Sequence, residues 1–262
     1  PVPTMSLAEE LTKASKSARI LTLDIETAPM LVHSWGLWNQ NHSINQIVDP
    51  GRVLCFAGKW YDEKKVHFFS EHHNTREEMV KAAWTMLDEC DILVTYNGPG
   101  FDVKHLQREF VLAGMSPPSK FENVDLLKVA RGQFKFPSNK LDYVAQALGL
   151  GSKLAHEGQG LWTACLAGDD KAWARMRRYN KQDVILTEAL YDRMGAWIKS
   201  HPHMGLFTHQ ARSCFRCGGT SLTANGVTRS ASTAFASFTC DACGAQSRAS
   251  TRKHGVTLRG VR

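Results

Sequence analysis

Asp24 and Glu26 stand two residues apart at the end of an apolar run, Ile20-Leu21-Thr22-Leu23-Asp24-Ile25-Glu26. The run reads as a β-strand, whose side chains alternate between faces. Thr22, Asp24 and Glu26 then share one face, and Leu21, Leu23 and Ile25 the other. Two carboxylates on one face of a central strand repel each other and resist ionisation unless a cation neutralises them. A hard divalent ion with oxygen ligands suits such a position, Mg²⁺ or Mn²⁺ first. A strand simply running out into solvent would explain the same pair, so the surrounding elements must decide.

Further along lie two more acids in marked positions. Asp102 follows Asn97-Gly98-Pro99-Gly100-Phe101 at the start of a helix, where ordinary capping also favours an acid. Tyr179 and Asp183 are four apart inside a helical stretch and share its face. Asp125 opens another helical stretch, and capping accounts for it.

The elements that must position these groups are legible from periodicity. Residues 53–61 and 66–69 read as a hairpin around Asp62-Glu63-Lys64-Lys65. Residues 75–90 read as a helix, with Thr75 and Glu78 in capping-box spacing. A short strand over 91–96 precedes the Asn97–Gly100 loop and a helix over 101–114. Helices are expected over 124–131, 140–148 and 169–199. Three early strands followed by alternating helix and strand predict an α/β domain, a mixed sheet flanked by helices. Past His201-Pro202-His203 the composition shifts to Ser, Thr, Gly, Arg and Cys. The expected organisation is an extension over 1–17, a main domain over 18–204 and a small module over 205–262.

That module holds two C-x-x-C pairs, Cys214/Cys217 and Cys240/Cys243, each followed by glycine. Four thiols at this spacing predict one tetrahedral structural Zn²⁺ site of zinc-ribbon type. Two short disulfides or an iron–sulfur cluster are the competing readings. His201, His203 and His209 are not needed as ligands, and Cys55, Cys90 and Cys165 belong to apolar contexts, as core residues. A module this small and poor in large apolar side chains requires such a staple.

Charge follows the same division. The formal net charge of the 262 residues is +7. Residues 205–262 carry eight Lys/Arg (Arg212, Arg216, Arg229, Arg248, Arg252, Lys253, Arg259 and Arg262) against Asp241, while the rest of the chain is neutral. A basic module beside a neutral body implies a polyanionic partner, nucleic acid first, DNA before RNA. A hydrophobic share of 43% and a charged share of 22% exclude an intrinsically disordered chain. No apolar run approaches membrane-spanning length, so no membrane partner is expected. The first 17 residues lack a secretory apolar core, so a cytoplasmic setting is expected, with cysteines as thiols or metal ligands.

The three motifs in this order, D-x-E on a strand, N-x-x-x-F-D after a later strand and Y-x-x-x-D on a late helix, resemble the DEDD group of 3′–5′ exonucleases. The resemblance covers roughly residues 18–200 and implies an RNase H-like fold. Tyr179, four before Asp183, is similar to the tyrosine subgroup; the histidine subgroup's base would fall at residue 178, which is Arg178. The segment from Thr27 through Trp38 to Gln46 also resembles stand-alone phage-encoded members, whose setting would be the host cytoplasm. The resemblance implies that Asp24, Glu26, Asp102 and Asp183 hold two divalent ions about 3.5–4 Å apart, Asp24 bridging them. It implies further that Tyr179 orients the attacking water, because a phenol of pKa near 10 is a poor base. Phe101 would wedge the terminal base, with Leu23 or Ile25 beside it or simply in the core. Lys140, in Lys140-Leu141-x-x-Val144-Ala145, would contact a phosphate or serve as a solvated helix-start residue.

The expected function is therefore a metal-dependent 3′–5′ exonuclease with a basic, zinc-stapled nucleic-acid-binding module. An endonuclease of the same fold, structure-specific or hybrid-specific, is the first alternative. A nucleic-acid-binding adaptor with a vestigial nuclease domain is the second, though all four acids are in place. Oligomeric state has no signature in the sequence.

Overall fold

A computed structural model describes residues 17–155 and 158–256. The expected extension over 1–17 falls almost wholly outside them, as do Arg259 and Arg262. Residues 19–191 form one compact unit, and residues from Asp192 onward belong to a second.

The first unit is organised by the apolar run that carries the acids. It forms β1 (Ile20–Thr27), followed by a small hairpin, β2 (Leu31–Val32) and β3 (Ile47–Asp49). Next come β4 (Val53–Trp60), β5 (His67–Ser70), α1 (Arg76–Glu89), β6 (Ile92–Thr95) and α2 (Asp102–Leu112). The unit is completed by β7 (Glu122–Asp125), α3 (Leu126–Gln133), α4 (Leu141–Ala147), α5 (Gln159–Leu166) and most of α6 (Asp170–Met194). The sheet runs β5-β4-β1-β6-β7. β4 is antiparallel to both of its neighbours, β5 and β1, and β1, β6 and β7 are parallel. This is a mixed α/β sheet with β1 at its centre, as expected.

Both faces of the sheet are covered. Leu21, Leu23 and Ile25 pack with Met79, Ala83 and Leu87 of α1 and Leu106 and Phe110 of α2. Burial of that size is the main stabilising contribution in a domain of this kind. On the other face Leu54 and Cys55 of β4 pack with Leu161 and Cys165 of α5 and Trp173, Met176 and Tyr179 of α6. Leu23 and Ile25 are thus core residues, 1% and 3% exposed, and have no access to a substrate base. Thr22, Asp24 and Glu26 face α6.

Local chemistry fixes the ends of these elements. The α1 capping box forms: Thr75 Oγ1 accepts from Glu78 N (3.2 Å), and Glu78 Oε2 from Thr75 N (2.9 Å). After β6 the chain turns through Asn97, whose φ is 77°. At Gly98 a Cβ would lie 2.1 Å from Thr95 Oγ1, so glycine alone fits the turn that delivers Asp102 to α2. Glu109 of α2, 3% exposed, accepts from Val53 N (3.1 Å) and pairs with Arg76 and Arg108, tying α1, α2 and β4 together.

Two expectations need correcting. Residues 122–125 form a strand, β7, where a helix was expected from 124; parallel pairing with β6 from Ile92↔Glu122 to Thr95↔Asp125 overrides their weak strand preference. The last long helix ends at Met194, followed by a 3₁₀ turn over Gly195–Trp197, instead of reaching 199.

The second unit contains the short α7 (Gly205–Thr208) and a sheet of β8 (Leu222–Arg229), β9 (Thr233–Cys240), β10 (Gln246–Arg248) and β11 (His254–Gly255). β9 is central: β8, β10 and β11 all pair with it in antiparallel fashion. Its core is small, built on Cys214, Cys240 and Ala245 with Phe215 and Leu222 partly buried against them. Among the described residues no helix is long and apolar enough to cross a membrane.

Candidate active site

Strand parity brings Asp24 and Glu26 onto one face, and α6 lays Asp183 across it. Carboxylate oxygens of Asp24, Glu26 and Asp183 all lie within 4.8 Å of one another. Asp183 is buried, whereas Asp24 and Glu26 are half-buried at the mouth of the site. Asp102 stands beside this trio instead of within it. It lies in the first turn of α2, and its Oδ1 accepts from Ile25 N of β1 at 3.0 Å, which locks its carboxyl to the strand between Asp24 and Glu26.

Carboxyls crowded together in a poorly solvated place resist ionisation. Burial, then Asp102, Glu26 and Asp183, push Asp24 well above the usual carboxylate range. Burial and Asp183 push Glu26 up to about 8. Burial pushes Asp102 up to about 7, against the backbone hydrogen bonds it accepts. Such a cluster is held ionised near neutral pH by added positive charge, and converging carboxylate oxygens suit a hard divalent cation.

The sequence did not single out three partners. Lys153 Nζ donates to Asp183 Oδ2 at 2.6 Å and to Tyr179 OH at 3.0 Å. Burial works against its charge, but Asp183 and Tyr179 outweigh burial and hold it protonated. Asn180, fully buried, donates from Nδ2 to Asp24 Oδ2 (2.6 Å) and to Asp24 O (3.1 Å), fixing the strand acid to α6. The third is the Ile25 amide that holds Asp102. Tyr179 is buried, packs edge-on against Trp162, and is pushed up to about 12 by burial and Asp183.

Other expected residues fall outside this cluster. Asp125 caps α3 through Leu127 N (3.0 Å) and also accepts from Asn97 N (2.9 Å), steadying the turn before Asp102. Lys140 is an exposed residue at the start of α4. Phe101 is 38% exposed, its ring 4.6 Å from that of His105.

In the second unit the thiols of Cys214, Cys217, Cys240 and Cys243 also lie within 4.8 Å of one another. The pairs Cys214/Cys243 and Cys217/Cys240 are 3.5 and 3.6 Å apart. That is far beyond a disulfide bond and close to the edge of about 3.8 Å in a tetrahedron with Zn–S of about 2.3 Å. Gly218 and Gly244, φ 74° and 72°, close the two knuckles by donating to Cys214 O and Cys240 O. The four cysteines could therefore form a zinc site, and among the described residues no histidine joins the group. Arg216 departs from the expected basic surface: it is 6% exposed, and its Nη2 lies 3.6 Å from Oδ1 of the exposed Asp192.

Residues 47–195 match the model of the RNase H superfamily, more than half of the chain. The chain belongs to that superfamily, which supports a nucleic-acid-processing hydrolase whose fold usually works with divalent metals. Among solved structures it is similar to the family B DNA polymerase from the hyperthermophilic archaeon Pyrobaculum calidifontis. That likeness has a TM-score of 0.53 at 19% identity and covers 81% of this chain. It covers 31% of the polymerase, so the likeness is one of fold over part of a longer protein. No curated protein matches the chain significantly.

Two predictions arise here. A folded carboxyl with a raised pKa keeps its proton where the unfolded chain has released it. The metal-free protein is therefore expected to lose stability as pH rises from about 4 towards 8, and cation binding to relieve the loss. Mn²⁺ should raise the thermal midpoint more at pH 8 than at pH 6, read by differential scanning fluorimetry; equal shifts would contradict the carboxylate assignment. Secondly, Lys153 lowers the pKa of both Asp24 and Glu26. Lys153→Met should reduce kcat about 10- to 100-fold and move the acidic limb of the pH–rate profile upward. A lower kcat with an unmoved profile would make Lys153 a packing residue only.

Proposed function

We propose that this chain is a divalent-metal-dependent 3′–5′ exonuclease of the DEDD tyrosine group, acting on nucleic acid, DNA before RNA. The observation that carries the reading is the convergence of Asp24, Glu26 and Asp183 around one point, with Asp102 and Tyr179 beside them. Cations seated there supply a more acidic water and charge stabilisation for the leaving 3′ oxygen. Asp24, Glu26 and Asp183 are the ligand set, Asp102 completing it from the Ile25 side. Asn180 and Ile25 N hold two of these carboxyls in fixed orientation before substrate arrives. Tyr179, with a pKa near 12, keeps its proton at working pH, so its role is to orient the attacking water by hydrogen bonding. Lys153 aligns that hydroxyl and supplies positive charge facing the scissile phosphate.

In the same reading Cys214, Cys217, Cys240 and Cys243 hold one structural Zn²⁺, and the basic module, expected to begin near residue 205, grips the substrate backbone. Arg248, with its guanidinium 3.8 Å from the Phe235 ring centre, and Arg212, 5.6 Å from that of Phe238, are its described arginine–aromatic pairs. A cytoplasmic setting suits four reduced thiols.

Digestion of 5′-labelled linear DNA and RNA, and of internally labelled circular strands, with Mg²⁺ or Mn²⁺ and with Asp102→Ala as control, tests the reading. A ladder shortening from the unlabelled end, absent in the variant, is the expected result. Cutting of the circular strand would transfer the site to an endonuclease, and metal-independent cutting would reject it.

A further inference from the structure

Immediately after Glu26 the chain leaves the sheet as an arm whose surface is inverted. Trp35 is 96% exposed, Leu37 91%, Trp38 83% and Ile44 84%. From Thr27 to Val48 there is no Asp, Glu, Lys or Arg. The arm is nonetheless ordered: β2 pairs with β3, and a 3₁₀ turn over Ile44–Gln46 closes its far side. Its root is fixed, with Ala28 N donating to Arg52 O (2.8 Å) and Arg108 Nη2 to Gly51 O (2.8 Å).

Several of the arm's polar side chains bond to its own backbone. Ser34 Oγ donates to Gly36 O (2.6 Å), Gln40 Nε2 to Trp38 O (2.9 Å) and Gln46 Nε2 to His33 O (2.9 Å). What remains for a partner includes two indole faces and aliphatic surface among the exposed Asn39, Asn41, His42 and Asn45, with no Asp, Glu, Lys or Arg.

We propose that this arm is a stacking platform for the unpaired end of a nucleic-acid strand, with Trp35 and Trp38 receiving bases. The inference rests on the nuclease reading above and names its substrate as a strand with splayed, unpaired terminal bases. The arm's root continues the strand that carries Asp24 and Glu26, and Trp35 follows Glu26 by only nine positions. The absence of acids leaves a polyanion unopposed, and the absence of Lys and Arg leaves no grip on phosphate, so affinity must come from the bases. Every base has a π-face, so such stacking is sequence-tolerant. Contributions of this kind are insensitive to salt, unlike phosphate contacts.

The test uses the full chain in an Asp102→Ala background with Mg²⁺ present, and measures anisotropy of a labelled single-stranded oligothymidylate. The paired substitution Trp35→Ala and Trp38→Ala should weaken binding on the order of tenfold or more, equally at low and high salt. Trp35→Phe with Trp38→Phe should restore most of it, and an oligonucleotide ending in abasic positions should be bound no better by the parent than by the alanine variant. Unchanged affinity, or a loss that persists on the abasic strand, overturns the platform and would fit a protein-docking arm instead. Whether the chain without substitutions shortens the same strand is scored separately, so a failed nuclease reading is distinguishable from a failed platform.

Discussion

Asp24→Asn is expected to lower the rate of strand shortening by on the order of 10³-fold or more, while making the metal-free protein harder to melt. Metal-borne charge stabilisation is worth several kcal/mol, and each ~1.4 kcal/mol is a factor of ten in rate. Asp24 is where that loss is greatest, because Asp102, Glu26 and Asp183 all bear on it and α6 grips it through Asn180. The amide keeps the shape of the acid, so Leu23 and Ile25 stay packed on the opposite face. An amide has no ionisation for burial among acids to oppose, so the metal-free fold no longer has to hold a proton that the unfolded chain releases at neutral pH. Fluorimetry without metal should show a higher midpoint, and the Mn²⁺-induced shift of the parent should largely vanish. An Asp24→Asn protein that still degrades DNA, or that melts earlier without metal, would remove this carboxylate from the site.

Substituting a buried knuckle thiol, Cys214→Ser, is expected to abolish the cooperative structure of the small module. Cys214 is fully buried, and among the described residues its cluster has Cys240 and Ala245 as its other buried members. So little apolar burial cannot offset the entropy of ordering β8, β9 and β10. In zinc-finger peptides metal binding contributes about 10–16 kcal/mol, and that binding energy is folding energy. Amide hydrogen exchange along Thr233–Cys240 should accelerate by at least about 10³-fold in the variant or under strong chelation. Metal analysis should find one zinc per parent chain. Slow exchange with no bound metal would mean that the cysteines stabilise the sheet by packing alone.

The sequence disclosed the site to the extent that local periodicity fixes where a side chain lies. Period two placed Asp24 and Glu26 together opposite Leu23 and Ile25, and the i, i+4 relation placed Tyr179 with Asp183. The Thr75–Glu78 box formed as its spacing predicts. Long-range partners carry no such mark. Lys153 lies in a loop beside Gly151 and Ser152, thirty positions from Asp183, and only the fold brings its ammonium there. Asn180 is one polar residue among several on a charged helix until its amide is seen against Asp24. Lys140 had the more conspicuous motif and stands exposed at the start of α4, outside the acid cluster. Arg216 counted as surface charge until its burial was visible, and β7 was hidden because Glu122, Asn123 and Asp125 favour strands only when a neighbour pairs with them.

Lys153 has one last consequence, for the order of events in biogenesis. A nascent chain whose acids waited naked for divalent ions would have to close its core around unrelieved repulsion. With an ammonium lodged 2.6 Å from Asp183, the polypeptide brings its own counterion into the cluster.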